Sequence, residues 1–172
     1  MSYDTIQGFF RVAMSRDIPA LVDPPTTKLS LNLGAGKKKV VPWDPIPLDR
    51  PHWNAGWPIP YANEHFREIH AYHFFEHLTG EQIIHVLGEC QRVLITGGVI
   101  NIVVPYYSSQ LMALSIDHKT SFCEDTLKNL FTDDYWDYPG VPPDGWRFEI
   151  GLNVIIGVVE RNLALLTQLI KV

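Results

Sequence analysis

The chain has 172 residues, 46% hydrophobic and 19% charged, the make-up of one globular domain long enough to bury a full core. Its formal net charge of −5 works against sequence-independent binding to a phosphate backbone, which needs clustered Lys and Arg. No apolar run reaches the roughly 18 residues of a membrane span.

Met1-Ser2-Tyr3-Asp4 lacks the basic start and apolar core of a signal peptide, and Cys90 and Cys123 form no metal-spaced pair. Both cysteines are expected to be reduced, buried thiols of a cytosolic protein. Residues 3–16, with Ile6, Phe9, Phe10, Val12, Ala13 and Met14 apolar, suit an amphipathic helix that Pro19 stops. Pro24-Pro25 is a stiff lead into Leu29–Leu33, a short apolar run expected as a buried strand.

That strand ends in Gly34-Ala35-Gly36, where two glycines let the backbone turn sharply and approach a ligand. A dinucleotide turn would carry a third glycine three positions later, and this chain has Lys39 there, so the loop suits a ligand without a pyrophosphate. Lys37-Lys38-Lys39 is read as a solvated loop, too small for a nucleic-acid face. From Val40 to Pro51 four prolines forbid a regular helix and allow at most a broken edge strand. A nucleoside bound at the glycine turn needs a carboxylate for its ribose hydroxyls; Asp49 fits best, Asp44 second, and each is also an ordinary turn aspartate.

The aromatic loop Trp53–Asn63 either walls an adenine, with Asn54 facing the amino edge, or is a packed surface loop. Glu68–Phe74 is expected as a strand. Thr79 and Gln82 have the spacing of a capping box, so a helix should start there, present Ile83, Ile84, Val86, Leu87, Cys90, Val93 and Leu94 on one face, and end at Gly97-Gly98. Val99–Val104, stopped by Pro105, reads as a strand buried on both faces. Helices are expected over 107–116 and 124–131, then an aromatic, proline-rich loop over 133–146. Phe148–Val159 and Leu163–Val172 should pair as an antiparallel hairpin.

This order of elements, with the sequence blocks on it, resembles the class I S-adenosylmethionine-dependent methyltransferases, most closely the small single-domain group called type 11. Leu31–Gly36 resembles the first cofactor motif, Leu48-Asp49 the acidic ribose position, Ile69–Leu78 the fourth strand with its Glu-His-Leu ending, and Glu89–Gly98 with the following strand the block entering the fifth. The resemblance implies an α/β fold: a Rossmann-like, mostly parallel sheet with helices on both faces and a C-terminal antiparallel hairpin, the second and third strand region shortened. It is expected as a single domain over 1–172, with a lead-in at 1–28, a cofactor half at 29–105 and an acceptor half at 106–172. Asn32 departs from the family, which often carries an acid there.

The resemblance further implies S-adenosylmethionine as cofactor, leaving as S-adenosylhomocysteine, on Asn32, Gly34, Ala35, Gly36, Asp49, Asn54, Ala55, His73 and Phe74. Because the methyl donor is already activated, the protein supplies mainly proximity and alignment. If the acceptor must lose a proton, His118 is the leading base and His77 the second, with His73, Glu76, Tyr106 and Asp117 nearby in position. Each histidine also reads simply as a satisfied polar group at an element's end. A small-molecule acceptor is expected, met by Tyr106, His118 and the loop around Trp136 and Trp146.

Three rival readings exist. His73-Phe74-Phe75-Glu76-His77 has the spacing of inverted zinc peptidases, but the capping box starts the helix after His77, so no metal is expected. Val104-Pro105-Tyr106-Tyr107 only partly matches the block of amino-directed DNA methyltransferases, and the acidic charge disfavours nucleic acid. A non-catalytic module on the same fold is the third.

Overall fold

The computed structural model describes residues 30–34, the backbone of 46–48, and residues 53–131, 141–157 and 162–172. The expected N-terminal helix, Ala35, Gly36, the three lysines, Asp44, Asp49 and Trp136 lie outside the described residues.

Among the described residues six strands form one mixed sheet: β1 Ser30–Leu33, β2 Ile46–Leu48, β3 Phe66–Tyr72, β4 Leu94–Pro105, β5 Phe148–Ile156 and β6 Ala164–Lys171. Their order is β2-β1-β3-β4-β6-β5. The first four run parallel to one another, and β6 lies antiparallel between β4 and β5. This is the expected Rossmann-like sheet with an antiparallel end. Pro47 suits β2 to its place at the edge of the described strands, since it has no N–H to offer a further neighbour.

The described α-helices are α1 Gly80–Val93, α2 Gln110–Ala113 and α3 Glu124–Leu130. Helix α1 begins at the expected capping box. The Thr79 hydroxyl accepts from the Gln82 N–H at 3.3 Å, and Gln82 Oε1 accepts from the Thr79 N–H at 3.0 Å. Its face of Ile83, Ile84, Val86, Leu87, Cys90 and Val93 joins Leu127 and Leu130 of α3 against Leu31, Leu33, Ile69, Ala71, Ile100 and Ile102 of the sheet. On the opposite face Tyr72, Val103, Ala164 and Leu166 form a smaller cluster, and Leu111 of α2 packs there.

That second face is polar at its centre. Asn32, His70, Asn101 and Gln168 stand in register on four adjoining strands, all buried. Gln168 Nε2 donates to Asn101 Oδ1 at 3.1 Å, Asn101 Nδ2 donates to Glu68 Oε1 at 2.9 Å, and His70 Nε2 lies 3.2 Å from the same oxygen. Tyr72 closes the row, its hydroxyl 2.7 Å from His70 Nδ1. Buried polar groups persist only where partners satisfy them, and this chain of contacts supplies partners to Glu68, His70, Tyr72, Asn101 and Gln168.

Several boundaries differ from expectation. Helix α1 ends at Val93 rather than at the glycine pair, because buried Leu94 already pairs with Phe66 and its carbonyl accepts from Lys171 Nζ at 2.6 Å. Gly97, at φ +79°, instead turns an irregularity inside β4. The helix expected over 107–116 shrinks to α2, since the Tyr106 and Tyr107 N–H groups are tied to the carbonyls of Leu163 and Phe122 and hold the chain extended. Cys90 is fully buried, whereas Cys123 at the start of α3 is only half-buried.

Candidate functional site

In the sheet β2 lies on one side of β1 and β3 on the other, with β4 beyond β3, so the direction of strand succession reverses between β1 and β3. Such a switch point is where ligands of open α/β sheets lie. A cavity of about 350 Å³ opens there, lined by Gly34, Trp53, Asn54, Ala55, His73, Phe74, His77, Leu78, Gln82, Asp117 and Lys119. Gly34, Asn54, Ala55, His73, Phe74 and His77, singled out from the sequence, thus line one cavity.

Each is held for an identifiable reason. Gly34 has φ +64°, and a Cβ built on it would stand 2.6 Å from Phe74 Cδ2, so the aromatic ring closes over bare backbone. His73 also occupies the left-handed region, at φ 53°, with its N–H bonded to the Val103 carbonyl at 2.8 Å. A histidine there is uncommon and is kept by its surroundings, since His73 Nδ1 meets Glu76 Oε1 at 3.1 Å. Trp53 is buried beside Phe74, their ring centroids 6.1 Å apart.

Asn54 is partly committed to its own loop. Its Oδ1 accepts from the Gly56 N–H at 3.1 Å and its carbonyl from the Trp57 N–H at 2.8 Å, which among the described residues leaves Nδ2 and one lone pair for a ligand. Two residues that sequence reasoning left without a role fix this loop to α1. Arg92 lays its Nε and Nη2 on the two oxygens of Glu89, at 2.9 and 2.7 Å, while Nη2 and Nη1 donate to the carbonyls of Ile59 and Tyr61. Glu89 Oε2 in turn accepts from the Ile59 N–H at 2.7 Å. Burial pushes the Glu89 carboxyl up, but the Arg92 hydrogen bond and the Ile59 N–H outweigh it and hold the group below the usual carboxylate range. The Glu89–Arg92 spacing was visible within the block entering the fifth strand; its partners were not.

Past β3, a 3-10 turn at Phe75–His77 carries Glu76 and His77. The Glu76 carbonyl accepts from the N–H groups of Lys119 and Thr120 at 2.7 and 3.2 Å, which draws residues 117–120 over the turn. His77 Nδ1 then lies 3.1 Å from Asp117 Oδ2, and the rings of His77 and His118 meet edge to face at 4.9 Å. A hydrogen bond from Ser115 holds the Asp117 carboxyl below its ordinary range, aided by the neighbouring imidazoles. His118 Nδ1 is 3.0 Å from the Met112 carbonyl; since a carbonyl only accepts, Nδ1 carries the proton and Nε2 is the basic nitrogen of the neutral ring. His77 lines the cavity and His118 stands against His77.

Other expected residues lie elsewhere. Asn32 is buried in the polar row of the sheet face, outside the lining of the cavity. Tyr106, at the end of β4, gives its hydroxyl to Glu124 Oε2 at 2.9 Å, which pushes the phenol up to about 12. Trp146 precedes β5, whose first residue pairs with Lys171 at the far end of the sheet, and it packs on Phe131 and Phe148. It is a structural tryptophan, remote from the cavity.

Among the described residues no helix is long and apolar enough to cross a membrane. No protein-family model and no curated protein matches the sequence. Solved structures do match it by shape. A SAM-dependent methyltransferase of Archaeoglobus fulgidus aligns with a TM-score of 0.53 at 13% identity, over 97% of this chain and 94% of that one. The YcgJ protein of Bacillus subtilis aligns with a TM-score of 0.57 at 13% identity, over 83% and 91%. For a SAM-dependent methyltransferase of Methanosarcina mazei the values are 0.50 and 16%, over 70% of this chain and 65% of that protein's length. On this likeness the chain has the fold of the class I S-adenosylmethionine-dependent methyltransferases.

Proposed function

We propose that this chain binds S-adenosylmethionine in the cavity at the ends of β1 and β3 and transfers its methyl group to a small organic acceptor. The observation that carries the reading is the convergence of Gly34, Asn54, Ala55, His73 and Phe74 on one cavity at the switch point of the sheet. Its volume of about 350 Å³ lies within the range of small-ligand sites, and its lining joins aromatic walls to a few polar groups. Trp53 and Phe74 offer flat apolar surface to a nucleoside, Asn54 Nδ2 offers a donor, and the turn at Gly34 lets the backbone come close. Asp49 is the proposed ribose ligand, and Ala35 and Gly36, which follow Gly34 in the glycine motif, are proposed to meet the cofactor with it.

When bound, the cofactor supplies a methyl group activated by positive sulfur. The chain's own residues then orient, shield and deprotonate. His77 stands at the cavity wall with Asp117 beside it, and His118 backs it with a basic Nε2, so an acceptor hydroxyl or ammonium entering there meets a proton acceptor.

Calorimetric titration of S-adenosylhomocysteine onto the full chain tests the binding half, and micromolar affinity is expected. A chain that binds none at millimolar concentration overturns the reading. Once an acceptor is found, His118→Ala should lower kcat and leave cofactor affinity almost unchanged. Loss of both together would remove its role as a base.

A further inference from the structure

Glu76, His77 and His118 each present one ligand atom, and the three atoms lie within 4.8 Å of one another. Glu76 is wholly buried. Its Oε1 meets His73 Nδ1, but its Oε2 is sealed from solvent with no hydrogen-bond partner. Leaving a buried carboxylate oxygen unpaired is costly, so the site is short of one positive or donating group. His77 Nδ1 is likewise buried without a hydrogen bond; its approach to Asp117 is an ion-pair contact only.

We propose that Glu76, His77 and His118 form a binding site for a divalent transition ion of the zinc class, open on its fourth side to the cavity. Two imidazoles and a carboxylate suit Zn²⁺ or Co²⁺, whereas Mg²⁺ and Ca²⁺ prefer oxygen alone. Ligating histidines and carboxylates are normally oriented by a second partner on their other polar atom. That arrangement is in place for two of the three, with the Met112 carbonyl on His118 Nδ1 and His73 on Glu76 Oε1, while the Asp117 carboxylate stands 3.1 Å from His77 Nδ1 without a hydrogen bond. Tetrahedral ligands about 2.1 Å from zinc are about 3.4 Å apart, so the donors must close by about 1.4 Å at most. Rotation of the partly exposed His77 and His118 rings supplies this, with Glu76 fixed.

The site is unlike that of the zinc peptidases suggested by the His73–His77 spacing. Phe75–His77 is a 3-10 turn and α1 starts only at Gly80, so those two histidines share no α-helix. Here His73 orients the carboxylate, and the third donor comes from His118. Three protein ligands leave a position for an oxygen of water or of a molecule in the cavity, which His77 and Asp117 line. An imidazole on the ion cannot also act as a base; with metal bound, a coordinated hydroxyl loses its proton to solvent more readily by the ion's charge. The metal site itself does not depend on methyl transfer.

The untagged, metal-stripped full chain is titrated with Co²⁺, followed by its visible bands, and with Zn²⁺ by calorimetry. One ion per chain at micromolar affinity is expected, with Zn²⁺ displacing Co²⁺ and its bands. His77→Ala, His118→Ala and the isosteric Glu76→Gln should each weaken binding roughly tenfold or more. The exposed, remote His65→Ala should not, and circular dichroism checks that all four variants fold. Absence of one-to-one binding overturns the site. So does undiminished affinity in both His77→Ala and His118→Ala, or an equal loss in His65→Ala, since either marks adventitious binding by surface histidines.

Discussion

The ring of Phe74 covers Gly34 so closely that a Cβ on the glycine would stand 2.6 Å from Phe74 Cδ2. The ends of β1 and β3 are therefore fitted to each other before any ligand arrives. Gly34→Ala should cost stability twice, by displacing Phe74 and by holding alanine at φ +64°, the second about 1–2 kcal/mol. Phe74→Ala in the same chain removes the clash but not the backbone cost. Urea melts of the two single variants and the pair should show the double variant more stable than additivity predicts; strict additivity would place the ring elsewhere.

Asn54 serves the loop through Oδ1, and its Nδ2 is the donor proposed to meet the cofactor. Asn54→Asp retains the acceptor for the Gly56 N–H while losing the donor, whereas Asn54→Leu loses both. Melting temperature should hardly move in the first and should fall in the second. S-adenosylhomocysteine binding should weaken by about 1 kcal/mol or more in both, by calorimetry. Equal affinity for Asn54→Asp and the natural chain would remove Asn54 from the ligand.

Arg92 and Glu89 clamp the loop that carries Trp53, Asn54 and Ala55. Arg92→Leu should destabilise the chain by about 1.5–3 kcal/mol, as expected for lost hydrogen bonds to a charged group. The Glu89 carboxyl is held below its unfolded value, so its contribution is fully present above about pH 4.3 and disappears as pH falls through the lower, folded pKa. Melts from pH 7 downward should accordingly show the gap between Arg92→Leu and the natural chain narrowing only below about pH 4.3. A gap that narrows already near neutrality would point to a histidine rather than Glu89.

The two thiols should react differently. Burial pushes Cys90 well above the ordinary thiol range, with Glu89 adding to it. Thr126, its hydroxyl 3.5 Å from Sγ, and the Asp125 N–H lower that of Cys123, which is also partly exposed. Only thiolate is nucleophilic, so iodoacetamide at neutral pH should label Cys123 first, reaching its plateau at lower pH than a free thiol, while Cys90 reacts only on unfolding. Peptide mass mapping reads this directly, and simultaneous labelling would contradict the burial of Cys90.

Local chemistry in the sequence was enough for much of the fold. The capping box at Thr79 and Gln82, the apolar face of α1, the Val99–Val104 run and the edge position of the proline-bearing β2 depend on spacing and on the hydrogen bonds a residue can make with near neighbours. The same is true of the turn at Gly34. Tertiary structure decided what depends on contacts distant in sequence. Leu94 left the helix because Phe66 and Lys171 were waiting for it, and Trp146 left the functional end because β5 begins at the other end of the sheet. Arg92 acquired its role only when Ile59 and Tyr61 folded against it. Likewise Glu76 and His118 belong to segments joined by backbone hydrogen bonds, which no local spacing encodes, and only that closure sets a buried, unpaired carboxylate oxygen beside two imidazoles.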